Sequence, residues 1–121
     1  MKQFPNRYDL EDRTANFGAD IILFCKRIVQ DEIAKPIVKQ LIRSATSIGA
    51  NYMEANAASS RKDFRNKIYI CKKEAQETKH WLRMMLVCLP DKKEKINKLR
   101  GECQELTLIF QKITSSLKIK N

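Results

Sequence analysis

The residues best suited to binding chemistry are cationic: Arg61, Lys62, Arg65, Lys72 and Lys79, followed by Lys92, Lys93, Lys95, Lys98 and Arg100. Arg65, Lys72 and Lys79 recur at intervals of seven, which puts them on one side of a helix. A row of fixed positive charges can follow a phosphate backbone without reading bases, and Tyr69 beside it offers a ring for stacking. Residues 1–60 carry eight Lys/Arg against seven Asp/Glu, whereas residues 61–121 carry sixteen against seven, so nine of the ten surplus positive charges lie in the second half. That asymmetry favours an anionic partner such as RNA, DNA or an acidic protein surface. Interleaved acids make the same segment equally compatible with a solvated, Lys-rich surface.

Catalytic and metal chemistry find little support. Glu77-Thr78-Lys79-His80 has the Glu-x-x-His spacing of di-iron bundles, but such a centre needs two of these pairs plus two further carboxylates, and His80 is the only histidine. No nucleophile can be paired with it by spacing. Cys25, Cys71, Cys88 and Cys103 form no C-x-x-C pair, which argues against zinc. Gly18, Gly49 and Gly101 are isolated and build no phosphate-cradling loop. The expectation is a protein that is not an enzyme and has no metal or cofactor. Cysteines set in apolar stretches and the lack of a signal peptide point to reduced thiols in the cytoplasm, and no apolar run approaches the roughly 20 residues that span a bilayer.

Four stripes of apolar or small residues at alternating spacings of three and four supply the framework. They run Leu10, Thr14, Phe17, Ile21, Phe24, Ile28; Val38, Leu41, Ala45, Ile48, Tyr52, Ala55; Phe64, Ile68, Cys71, Ala75, Thr78, Leu82, Met85, Leu89; and Ile96, Leu99, Cys103, Leu106, Phe110, Ile113, Leu117. Spacing that averages 3.5 keeps one seam toward its partners, the geometry of a four-helix bundle. Helices are expected over 9–29, 36–57, 61–89 and 92–117 in one all-α domain spanning 1–121, with short connections forcing an antiparallel up-down-up-down course. Asp9 and Asp12 suit the first turn of the first helix, Pro36 an early position in the second, Ser59 or Ser60 a cap for the third, and Asp91 with Glu94 a capping box for the fourth.

Several large apolar residues fall outside the seams. By register Ile70, Met84 and Val87 lie on the outward side of the third helix beside Tyr69, the first helix is apolar from Ile21 to Cys25, and the fourth adds Leu108 and Ile109. One bundle core cannot hide all of them, so self-association is expected. Two polar stripes, Ser44, Ser47, Asn51 and Glu54 on the second helix and Glu74, Glu77 and Trp81 on the third, could meet and fix register by hydrogen bonds between helices.

The segment from Arg43 to Ala55, Arg-Ser-Ala-Thr-Ser-Ile-Gly-Ala-Asn-Tyr-Met-Glu-Ala, then Ser60-Arg61-Lys62-Asp63-Phe64 and Glu74-Ala75-Gln76-Glu77-Thr78-Lys79-His80-Trp81-Leu82, resembles a small family. Its members are the bacterial four-helix-bundle proteins encoded by intervening sequences in large-subunit ribosomal RNA genes. The family pattern in the second helix is Arg-x-Ala-x-Ser-Ile-x-x-Asn-Ile-x-Glu-Gly, matched here by the polar residues Arg43, Ser47, Asn51 and Glu54, with Tyr52 in place of Ile and Ala55 in place of Gly. Ala55 weakens the expectation of a sharp turn there. The resemblance implies a homo-oligomer, a ring-like pentamer, with a basic surface suited to nucleic acid and no catalysis. A distant similarity to the accessory protein of diversity-generating retroelements, which forms such a ring and associates with a reverse transcriptase and nucleic acid, implies a ribonucleoprotein role by analogy.

Two functions from different classes follow. One is an oligomeric accessory factor whose Arg61, Lys62, Arg65, Lys72 and Lys79 contact RNA or DNA phosphates. The other is a scaffold whose protein partner docks on Ile70, Met84 and Val87, with the positive charge serving steering or solubility.

Overall fold

The computed structural model describes residues 7–117. Four α-helices run through them, α1 (Arg7–Lys26), α2 (Ala34–Asn56), α3 (Arg61–Cys88) and α4 (Lys93–Ser116), with no strand among the described residues. Each packs on the next and α4 returns to α1, which gives the antiparallel up-down-up-down bundle. At 1.5 Å per residue α3 is about 42 Å long and sets the height. The core is built from the four stripes: from Leu10, Phe17 and Ile21 on α1 to Ile96, Cys103, Leu106 and Phe110 on α4, the seam residues are buried. Phe64, Leu89 and Ile113, nearer the ends of the stripes, are half-buried and pack against that core.

Element ends depart from the periodic reading where side chains bond the backbone. The α1 stripe continues to Ile28, yet the helix stops at Lys26 because Gln30 Nε2 donates to the Cys25 carbonyl at 3.2 Å. Asp31 then opens α2 by accepting from the N–H groups of Ile33 and Ala34 at 3.0 and 2.8 Å, so α2 begins two residues before Pro36. Pro36 falls in the first turn, where its missing N–H costs nothing. Asp12 lies beyond the first turn of a helix that starts at Arg7, and the side chain of Asp9 lies outside the described residues.

Ser60 is the α3 cap, its extended backbone letting Oγ accept from Asp63 N at 3.0 Å. The Asp91–Glu94 capping box does not form. Pro90 instead starts a 3₁₀ turn through Lys92, and no side chain caps α4. Ala57 closes α2 by donating to the Met53 and Glu54 carbonyls, and no described residue adopts a positive φ.

Candidate nucleic-acid interface

Lys79 Nζ on α3 donates to Gln104 Oε1 on α4, which identifies the sides of the two helices that meet. Helical spacing from Lys79 puts Arg65, Tyr69, Lys72, Gln76 and Arg83 on the α4-facing side of α3, and spacing from Gln104 puts Lys93, Asn97, Arg100 and Gln111 opposite them. Arg61, four residues before Arg65, extends the row, and Lys62, seven before Tyr69, borders it. From Arg61 to Arg83 the row spans about 33 Å at 1.5 Å per residue.

Most acids of the second half of the chain lie elsewhere. Glu74 and Glu77 turn to α2, where Arg43 Nη1 meets Glu74 Oε1 at 3.3 Å and Arg43 Nη2 pairs with Glu77. Glu102 and Glu105 turn to α1, held by Arg13 at 2.7–2.9 Å. Asp63 acts on Lys67, whose Nζ reaches Glu54 of α2 at 2.8 Å. Asp91 and Glu94 border a cleft with Lys95 and Lys98 at the start of α4. The interleaving of charges along the sequence is therefore largely undone in three dimensions: the α3–α4 face carries cations and amides together with the exposed Leu108, and its nearest carboxylate is Glu94 at the start of α4.

Within this face Arg65 lies 4.8 Å over the Tyr69 ring and bonds its hydroxyl, and Lys72 lies 5.9 Å over the same ring. Arg65 Nε and Arg100 Nε are buried with no hydrogen-bond partner, so both guanidinium groups keep an unused donor. Lys92 and Lys95 do not join the row. They line a cleft of about 340 Å³ with Asp20, Leu23, Phe24 and Arg27, on the α1 side of α4. Arg83 and the position of Arg100 opposite α3 emerge only once the helix neighbours are known.

The polar stripes of α2 and α3 meet in part. Arg43 joins Glu74 and Glu77, and Ser44 bonds Thr78. Ser47 and Asn51 instead bond carbonyls of their own helix, Ser47 Oγ donating to Arg43 at 2.7 Å and Asn51 Nδ2 to Ser47 at 2.8 Å. Trp81 packs against the core, with the exposed His80 edge-on to it at 5.0 Å. Of the apolar residues outside the seams, Val87 is 77% exposed while Ile70 and Met84 are half-buried. Ile21, Phe24 and Cys25 join the core, whereas Ile22 and Met53 border a groove of about 600 Å³ between α1 and α2 floored by Ala15, Gly18, Ala19 and Ala50. No described helix is long and apolar enough to cross a membrane.

The sequence profile of the 23S rRNA-intervening sequence protein family matches residues 8–112. Among solved structures, a protein of unknown function from the S23 ribosomal protein family of Bacteroides thetaiotaomicron superposes with a TM-score of 0.82 at 32% identity, covering 90% of this chain and 97% of that one. No curated protein matches.

Proposed function

The chain belongs to the family of 23S rRNA-intervening sequence proteins, and on that premise we propose that it is a non-catalytic, homo-oligomeric accessory factor that binds RNA or DNA phosphates through its α3–α4 face. The observation that carries this reading is the segregation of charge. Arg61, Arg65, Lys72, Lys79, Arg83, Lys93 and Arg100 share a face from which Arg43 and Arg13 turn Glu74, Glu77, Glu102 and Glu105 away, which is how a surface holds a polyanion with little repulsion. Four free cysteines suit a reducing compartment such as the cytoplasm.

Titrating labelled RNA against the protein at several salt concentrations tests it. Phosphate contacts give an affinity that falls steeply with salt, and Lys72→Ala with Arg83→Ala should flatten the slope by about one unit per lost contact. Absence of binding at low salt overturns the proposal.

Self-association into a ring-like pentamer is the quaternary half of the proposal. It is supported by the apolar border of the α1–α2 groove, where Ile22 and Met53 are 39% and 66% exposed. Light scattering at two concentrations reads it, and a monomer at both rejects it. The exposed Val87 beside half-buried Met84 equally favours a protein partner, the scaffold reading. A partner that survives nuclease treatment of a lysate and is lost on Met84→Asp would replace the nucleic-acid assignment.

A further inference from the structure

We infer that the α3–α4 face accepts the backbone of a double helix in preference to a single strand, an inference that rests on the reading of this face as a nucleic-acid interface. Single-strand sites combine a basic groove with open aromatic rings on which successive bases stack. Among the described residues Tyr69 is the one exposed Phe, Tyr or Trp, and it is not open: Arg65 and Lys72 lie over its ring at 4.8 and 5.9 Å, and Arg65 also bonds its hydroxyl at 2.9 Å. A base stacking there would have to displace a cation already seated. Tyr69 acts as the post against which two cations are held at fixed positions.

What the face offers instead is charge in two lines. Arg61, Arg65, Lys72, Lys79 and Arg83 follow α3 while Lys93 and Arg100 follow α4, on antiparallel rods that at usual packing distances lie about 8–10 Å apart. The other side chains of the face include the amides of Gln76, Asn97, Gln104 and Gln111, groups that bond phosphate oxygens and sugar hydroxyls. The α3 row, about 33 Å, matches roughly 10 base pairs at 3.4 Å each. A straight row on a rigid helix suits a polyanion that is itself stiff, since a flexible strand must give up conformational freedom to follow it. Each neutralised phosphate also releases more counterion from a duplex than from a single strand.

The test is fluorescence anisotropy with RNA and DNA duplexes of about 12 base pairs and with their separated strands, each at several salt concentrations. Each duplex should bind at least about fivefold more tightly than its strands, with a steeper dependence on salt. The ratio between the RNA and DNA duplexes reads which helix geometry the face fits. Tyr69→Leu frees Arg65 and Lys72 from their post, so it should weaken duplexes and strands by similar factors of less than about tenfold and leave the duplex preference in place. Strands that bind as tightly as duplexes, or a tenfold or larger loss of strand affinity in Tyr69→Leu, about what losing one stacked base costs, overturn the inference while leaving the interface in place. Failure of both duplexes and strands to bind at low salt removes the interface and this inference with it.

Discussion

The hydroxyls of Thr78 on α3 and Ser44 on α2 are hydrogen-bonded at 2.8 Å, and both side chains are fully buried. Ser44 also reaches the Leu41 carbonyl at 3.3 Å and Thr78 that of Glu74 at 2.8 Å, so the pair is satisfied inside an otherwise apolar seam. Rotating either helix by one position would bury these hydroxyls against carbon. Thr78→Val should therefore cost about 1–2 kcal/mol, and the Ser44→Ala/Thr78→Val double variant clearly less than the sum of the single changes. Urea unfolding followed by the fluorescence of Trp81, the only tryptophan, measures both.

Arg13 links α1 to α4 through Glu102, with its Nε and Nη2 at 2.8 and 2.9 Å, and through Glu105 at 2.7 Å. The hydrogen bond from Glu102 raises the guanidinium pKa further, so the link keeps its charge. Clefts flank the α1–α4 contact nearer the start of α4, one lined by Leu23, Phe24 and Lys95 and another by Phe17, Asp20 and Gly101. With both partners part-exposed, Arg13→Met should cost about 0.5–1 kcal/mol, less in high salt. Hydrogen exchange should quicken in α1 before α3; uniform exchange across the helices would deny the link this role.

How far the sequence predicts this molecule depends on which physics decides each feature. The seams were legible because one period of about 3.5 residues governs every stripe from Leu10 to Phe110. The end of α1 was not, since Ile28 prolongs the period while single hydrogen bonds from Gln30 and to Asp31 turn the chain. In the same way Pro90 starts a 3₁₀ turn where Asp91 and Glu94 have capping-box spacing. Residue type alone identified the cations of the site except Arg83, but sorting them required knowing which helix each side meets. Lys93 and Lys95 are two residues apart, yet one falls on the α3 side and the other lines a cleft with α1. The positions of Glu74 and Glu77 could have given the signal, because they fall between the heptad positions of Lys72 and Lys79.

Cys25, Cys71 and Cys103 are buried, and desolvation raises their thiol pKa values from 9.0 to about 11, about 12 and about 12. Folding thus favours the protonated thiols. Their contribution to stability is fully present below about pH 9 and is lost as pH rises toward 11–12. Chemical denaturation at increasing pH should show that decline, and it should be shallower in Cys71→Ala. Cys88 is only half-buried, so a thiol reagent near pH 8 should modify one cysteine quickly and three only as fast as the protein opens. Cys88→Ala should remove the quick phase; its persistence would mean that a core thiol is open to solvent.

Gly101 lies in the interior of α4, exposed, and a Cβ added there meets nothing within 4 Å. Glycine in a helix interior costs about 0.5–1 kcal/mol relative to alanine, so Gly101→Ala should stabilise by that amount. Gly49 sits where α2 approaches α1, and its Cβ would lie 3.4 Å from Thr14 Oγ1 and 3.6 Å from the Thr14 carbonyl oxygen. Gly49→Ala should therefore gain less than Gly101→Ala, because Thr14 must yield part of its packing, and Gly49→Leu should lose about 1–3 kcal/mol by forcing the two helices apart. Thermal midpoints of the three variants measure the difference. A gain at Gly49 equal to that at Gly101, together with a tolerated leucine, would show that α1 and α2 are not in close contact at Thr14.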